Sequence, residues 1–145
     1  MNWKKIAIER LKDYDKRKKA CDAIPEQLTA LELGFTSIRS SVADETAVRG
    51  GGGKREDALI ENIVKREELS NNLDIAQREV SITEKALDTL TDEQRLILDR
   101  FYIHKAHGHV ERLCEELCVE RSRVYTLKDE ALREFTLACY GVIEV

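Results

Sequence analysis

A chain of 145 residues is long enough for one core or two small modules, and 36% of it is charged while only 6% is aromatic. With a single proline and no long β-branched run, this composition speaks for extended helices with much solvated surface. The net charge of −4 excludes a protein coated in basic surface, so any contact with nucleic acid has to come from a local patch.

No apolar run approaches the about 18 residues that a membrane span needs. The amino-terminal stretch MNWKKIAIERLKDYDKRKKA is amphipathic and charged, without the apolar core and cleavage site of a signal peptide. A cytoplasmic protein with no membrane partner is expected. Its four cysteines, Cys21, Cys114, Cys118 and Cys139, are then expected to be reduced and buried or half-buried.

Residues 2–23 read as a first helix, because Trp3, Ile6/Ala7, Leu11, Tyr14 and Cys21 recur at helical spacing. Residues 1–20 hold eight Lys/Arg against three Asp/Glu, a basic patch that could touch phosphate but has the ordinary look of a solvated helix face. Pro25 suits the first turn of a second helix, where its missing N–H costs nothing, and Leu28, Leu31, Phe35 and Ile38 give that helix an apolar stripe.

The segment SSVADETAVRGGGGKRED, residues 40–57, reads as a flexible connector around Gly50–Gly53. It lacks the Gly-Lys-Ser/Thr ending of a phosphate-binding loop, and no hydrophobic strand precedes it.

From about Lys54 to Leu87 the pattern is one long helix. Leu59, Leu69, Leu73, Ala76, Val80, Leu87 and Leu90 fall on a/d-like positions, interrupted by Asn62, Arg66 and Thr83. The interruptions speak against a long, clean two-stranded zipper and for packing against the first helices as an antiparallel bundle or arm. Self-association through the same face is the other expectation.

Residues 90–102, LTDEQRLILDRFY, restart with a capping box in which Thr91 accepts from the third helical N–H and Gln94 reaches back. Leu90, Leu96/Ile97, Phe101 and Tyr102 supply its buried side. IHKAHGH is a connector, residues 110–117 form a short helix, and residues 120–139 form the last one. A tight turn between two short helices, following a third, is a helix-turn-helix arrangement.

In such a pair the second helix lies in the major groove and its first residues meet base edges. Leu113, Leu117 and Val119 before the turn, and Val124, Leu127, Ala131 and Phe135 after it, form one stripe for burial. Arg121, Ser122, Arg123, Tyr125 and Thr126 are left facing outward, with Lys128 one turn on. Arginine can pair bidentately with guanine O6/N7 or hold a phosphate, and Ser, Thr, Tyr and Lys can serve the backbone.

Residues 90–135 resemble region 4 of sigma-70-type sigma factors. LTDEQRLILDRFY is similar to that family's first helix, and RLCEELCVERSRVYTLKDEALREF runs without a gap against its helix-turn-helix and following helix, Ala131-Leu132 included. The resemblance implies that Arg121, Ser122, Arg123, Tyr125 and Thr126 read a promoter element. It departs from the family at Glu120, where a serine or threonine cap is common, and at Cys118, where the turn usually has glycine, so an altered or strained turn is expected. No sigma region 2 accompanies the module, so promoter melting is not expected.

Along its length, including TSIRSS and GGGGKRED, the chain also resembles small prophage proteins of Gram-positive bacteria related to ArpU/RinA-type late transcriptional regulators. That resemblance implies a bacterial host cytoplasm.

Two other readings bear on residues 104–118. His107, His109, Cys114 and Cys118 are candidate zinc ligands by type, but their spacing is irregular and Cys114 stands at a core position. No nucleophile has a convincing His/Asp companion, so neither enzyme chemistry nor a cofactor is expected.

The expectation is an all-α protein: a helical bundle or arm with one long helix over 1–89, and a sigma-region-4-like helix-turn-helix domain over 90–145. It would bind double-stranded DNA, with RNA polymerase and further copies of itself as other partners. The alternative is an adaptor that contacts RNA polymerase or a phage assembly or packaging component without specific DNA readout. Residues 91–145 hold eight Lys/Arg against eleven Asp/Glu, which favours the adaptor, whereas the outward arginines favour DNA.

Overall fold

The computed structural model describes residues 1–44 and 52–144. They form α1 (Trp3–Asp44), α2 (Gly52–Asp88), α3 (Asp92–Leu98), a π-helical turn (Asp99–Ile103), α4 (His109–Leu117) and α5 (Arg121–Tyr140). The expected all-α class holds, and an isolated bridge between Asn2 and Glu144 is the extended pairing among the described residues. No described helix is long and apolar enough to cross a membrane. The chain divides into two compact units, one made of Met1–Arg17 with Arg78–Val145, the other of Lys18–Gln77.

The Lys18–Gln77 unit is an antiparallel hairpin of α1 and α2. Cys21, Ile24, Leu28, Leu31, Phe35 and Ile38 on α1 and Leu59, Asn62, Arg66, Leu69, Leu73 and Ala76 on α2 are among its buried or half-buried positions. Their alternating spacings of three and four are those of a heptad seam. Asn62 and Arg66 therefore continue the seam that they interrupt chemically. The Asn62 side-chain amide donates to the Leu31 carbonyl at 2.9 Å, and Arg66 Nε donates to Asn62 Oδ1 at 2.9 Å. The Arg66 guanidinium lies over the Phe35 ring, 4.8 Å from its centroid. Paired in this way, the polar groups are buried without being left unsatisfied.

Two expectations are corrected here. Residues 2–23 and the segment from Pro25 are one helix, with Pro25 in its interior. Proline removes one helical hydrogen bond and crowds the preceding turn, at a cost of about 3 kcal/mol in a helix interior. The heptad stripe runs through it unbroken, from Cys21 and Ile24 to Leu28, and packing against α2 on both sides overrides the local preference. The connector expected over 40–57 is helical over 40–44 and 52–57, while 45–51 lie outside the described residues. Gly52 and Gly53 open α2, in a first turn whose N–H groups need no intrahelical partner.

The other unit is built around two apolar clusters. Phe135, Ala131 and Leu132 of α5 pack with Ala7 and Leu11 of α1, Ala86 of α2, Leu90 and Leu98. Ile97, Phe101, Val110, Leu113 and Val124 form the second cluster, with Leu117, Val119 and Leu127 half-buried against it. The 89/90 boundary read from the sequence falls within one of these units, because Ala7 and Leu11 of α1 and Ala86 of α2 belong to the core that holds α5. The Trp3 N–H donates to the Ile143 carbonyl at 3.1 Å, bringing the two ends of the described chain together.

The capping box of α3 forms as expected: Gln94 N–H donates to Thr91 Oγ1 at 3.2 Å, and Thr91 N–H donates to Gln94 Oε1 at 3.1 Å. The helix then widens into the π-helical turn, which brings His104 beside two carboxylates. Its Nδ1 is 2.8 Å from Asp99 Oδ1 and its Nε2 is 3.5 Å from Asp15 Oδ1. The Asp99 hydrogen bond raises the imidazole pKa above its ordinary value. A raised folded-state value means that the contact stabilises fully below about pH 6.5 and is lost as pH rises through the raised value. Melting temperature should therefore fall across neutrality in the wild type and more weakly in His104→Gln; parallel profiles would show that the clasp carries no linkage.

Candidate nucleic-acid interface

Helix α4 ends in a left-handed residue, Cys118, at φ +54° and ψ +46°. This is the position where the sequence puts cysteine in place of glycine. Its geometry lets Val119 N–H donate to the Cys114 carbonyl at 3.2 Å, closing α4 before the chain turns. Glu120 follows in extended conformation as the residue before α5, without a capping bond from its side chain. The first helical bond of α5 runs from Val124 N–H to the Glu120 carbonyl at 3.1 Å. Glycine at 118 should add about 0.5–1 kcal/mol of stability, the left-handed strain relieved less the extra freedom of the unfolded chain. Urea unfolding of Cys118→Gly checks this, and a loss of stability would mean that the thiol contact to the Glu115 carbonyl at 3.7 Å matters more than the backbone.

From this turn α5 presents two opposite sides. Val124, Ala131 and Phe135 have no exposure, and Leu127 is half-buried on the same stripe. Arg121, Ser122, Arg123, Tyr125 and Thr126 are exposed, as expected, whereas the Lys128 side chain keeps only 19% of its surface. Lys128 lies 5.8 Å from the ring centroids of both Phe101 and Tyr125, and its ammonium is 2.8 Å from Asp129 Oδ1. It is the least accessible of the six residues, its stem serving as cover for Phe101.

The exposed residues do not form one cluster. At about 100° per residue, Arg121 and Arg123 stand about 200° apart across the exposed side of the helix, with Ser122 and Thr126 between them. Thr126 Oγ1 donates to the Ser122 carbonyl at 3.1 Å, which orients that hydroxyl along the helix. Arg121 belongs with Tyr125 and Lys128 on the edge facing α4 and the Phe101 ring, which meets Tyr125 edge-on at 5.9 Å between centroids. Arg123 is on the other edge, with Nη1 3.8 Å from Glu130 Oε1.

Each cation has an acidic neighbour. Arg121 Nη1 donates to Glu111 Oε1 at 2.8 Å, both side chains being 63% exposed. Its guanidinium also lies 5.9 Å from the Tyr125 centroid, and the hydrogen bond to Tyr125 together with Glu111 raises its pKa further. The Glu111 carboxyl is held below its ordinary value by a backbone N–H at the start of α4 and by Arg121. Glu115, Glu116 and Glu120 are exposed nearby in sequence, and Glu116 Oε1 is 3.2 Å from Arg100 Nη2.

The zinc candidates are not brought together. Among the described residues no group of three or more His, Cys, Asp or Glu side chains converges on a metal-sized space. His109 stacks edge-on against Phe101 at 4.7 Å, and Cys114 packs on the second apolar cluster. Cys21, Cys114 and Cys139 are half-buried as expected, but Cys118 is exposed, because its left-handed place at the turn points the thiol away from the core.

Sequence reasoning missed Glu111. It is ten positions before Arg121 and on a different helix, so no helical period connects the two, and only the tight turn at Cys118 brings them together. No family model, curated protein or solved structure matches the chain.

Proposed function

We propose that the protein is a sequence-specific regulator of transcription that binds double-stranded DNA, of the phage late-gene activator type, with α4, the turn and α5 acting as a helix-turn-helix. The observation that carries this reading is the division of α5, whose aliphatic stripe is sealed while Arg121, Ser122, Arg123, Tyr125 and Thr126 stay open at its start. Docked in the major groove, Ser122 and Thr126 face the base edges, and the two arginines flank them within reach of a guanine edge. Lys128 supports Tyr125 rather than phosphate.

Selection of bound fragments from random DNA at two salt concentrations tests the reading. An enriched motif is the expected result, and alanine at Arg121 or Arg123 should cost about 1–3 kcal/mol for each base-reading contact. The helical circular-dichroism signal should not change. Unchanged binding in both variants would sink the assignment.

The adaptor reading draws support from the acidic side chains beside the turn, Glu111, Glu115, Glu116 and Glu120, which oppose phosphate. It predicts no enriched motif and retention of RNA polymerase or a phage assembly component instead. Self-association would use the hairpin, where Ile60, Ile63 and Val64 are exposed within one turn of α2. A dimer on a palindrome would place half-sites about 10 bp apart or a multiple of that.

A further inference from the structure

We infer that Glu111 is a specificity-positioning residue, which keeps Arg121 from clamping phosphate and reserves it for a guanine edge. The inference rests on the DNA-binding reading above and names how one cation of that surface is used.

Four observations combine. Glu111 sits in the first turn of α4, three residues after Gly108, whose φ of +74° sets the entry to that helix. Glu111 Oε1 accepts from Arg121 Nη1 at 2.8 Å. The Tyr125 ring lies beside the same guanidinium, so Arg121 stands between the Glu111 carboxylate and an aromatic ring. Tyr125 is in turn set by Phe101, which is only 8% exposed and belongs to the apolar core.

A guanidinium has five N–H donors, so its bonds to Glu111 and Tyr125 leave others free for a further acceptor. A guanine edge offers O6 and N7, two neutral acceptors spaced for a pair of such donors. A phosphate in the same place would bring its negative charge beside the Glu111 carboxylate, and like charges at that range repel. The carboxylate thus penalises the sequence-independent contact and leaves the sequence-reading one. Arg123, on the other edge of α5, has an acidic neighbour only at 3.8 Å and on its own helix, so it carries no equivalent restraint.

The test compares Glu111→Gln, Arg121→Ala and the double variant with the wild type in the full-length chain. All are assayed on the selected motif, on single-base variants of it and on a random-sequence duplex, over a series of salt concentrations. Glu111→Gln should bind the random duplex several-fold more tightly, with a log–log salt slope steeper by about one, the signature of one added phosphate contact. It should also lose discrimination at one base pair, the one at which Arg121→Ala loses it. The double variant should match Arg121→Ala. A destabilised fold cannot tighten binding to random DNA, so the two directions of change separate positioning from damage.

If the motif survives while Glu111→Gln leaves slope and discrimination unchanged, the role of Glu111 is overturned and the DNA reading stands. A uniform loss at every base pair overturns it too. If the wild type selects no motif, both fall together.

Discussion

Phe135→Ala should lower stability by about 3–5 kcal/mol, the range for deleting a buried aromatic ring whose cavity cannot collapse. Phe135 has no exposure and packs where side chains of α1, α2, α3 and α5 converge, with Ala7, Leu11, Ala86, Leu90 and Leu98 in the same cluster. Alanines at 7, 86 and 131 are too short to reach into the space, which leaves only the neighbouring leucines to fill a part of it. The next residue, Thr136, is also fully buried, its hydroxyl donating to the Leu132 carbonyl at 2.6 Å, which ties this turn of α5 to its present phase. Phe135→Leu keeps most of the volume and should cost about 1–1.5 kcal/mol. Urea unfolding of the two variants gives the comparison. If the alanine variant lost less than the leucine one is expected to lose, α5 would not be docked on the ends of α1 and α2.

That docking marks the limit of what could be read in advance. Periodicity within one helix is local, and the elements that depend on it were legible: the stripe of Val124, Leu127, Ala131 and Phe135, the capping box of Thr91 and Gln94, and the left-handed demand at Cys118. What escaped depends on partners remote in sequence. Pro25 reads as a helix start because its ring disfavours an interior position, yet tertiary packing along a continuous seam outweighs that. Asn62, Arg66 and Thr83 read as breaks in an apolar face. They keep its phase because Leu31, Phe35 and Arg10 answer their polar groups from the facing helix. For the candidate site, exposure of the first residues of α5 followed from the stripe opposite them. The acidic partner of Arg121 and the burial of Lys128 against Phe101 did not, since both come from other elements.

Removing the side chain of Arg10 should be the second costly change, about 3 kcal/mol, near the lower end for breaking an ion pair taken out of water. Its side chain keeps 11% of its surface and makes contacts with two elements besides its own. Nη1 is 2.6 Å from Glu79 Oε2 and donates to the Glu79 carbonyl at 3.1 Å and to Thr83 Oγ1 at 3.4 Å. Nε donates to the Tyr140 hydroxyl at 2.8 Å, and the Tyr140 ring packs in turn on Trp3 at a tilt of 32°, with centroids 4.8 Å apart. One planar fork thus ties α1 to the end of α2 and to the last turn of α5. Alanine would leave the Glu79 carboxylate, 26% exposed, and the Tyr140 hydroxyl without this donor. Lysine restores a charge but cannot serve partners in several directions, so Arg10→Lys should recover only part of the loss. In a double-mutant cycle with Glu79→Ala the coupling should be about 1–3 kcal/mol, as for residues sharing one network. A coupling near zero would reduce the pair to an ordinary surface contact, and the joining of α1, α2 and α5 would then rest on the apolar cluster around Phe135 and the Trp3–Tyr140 contact.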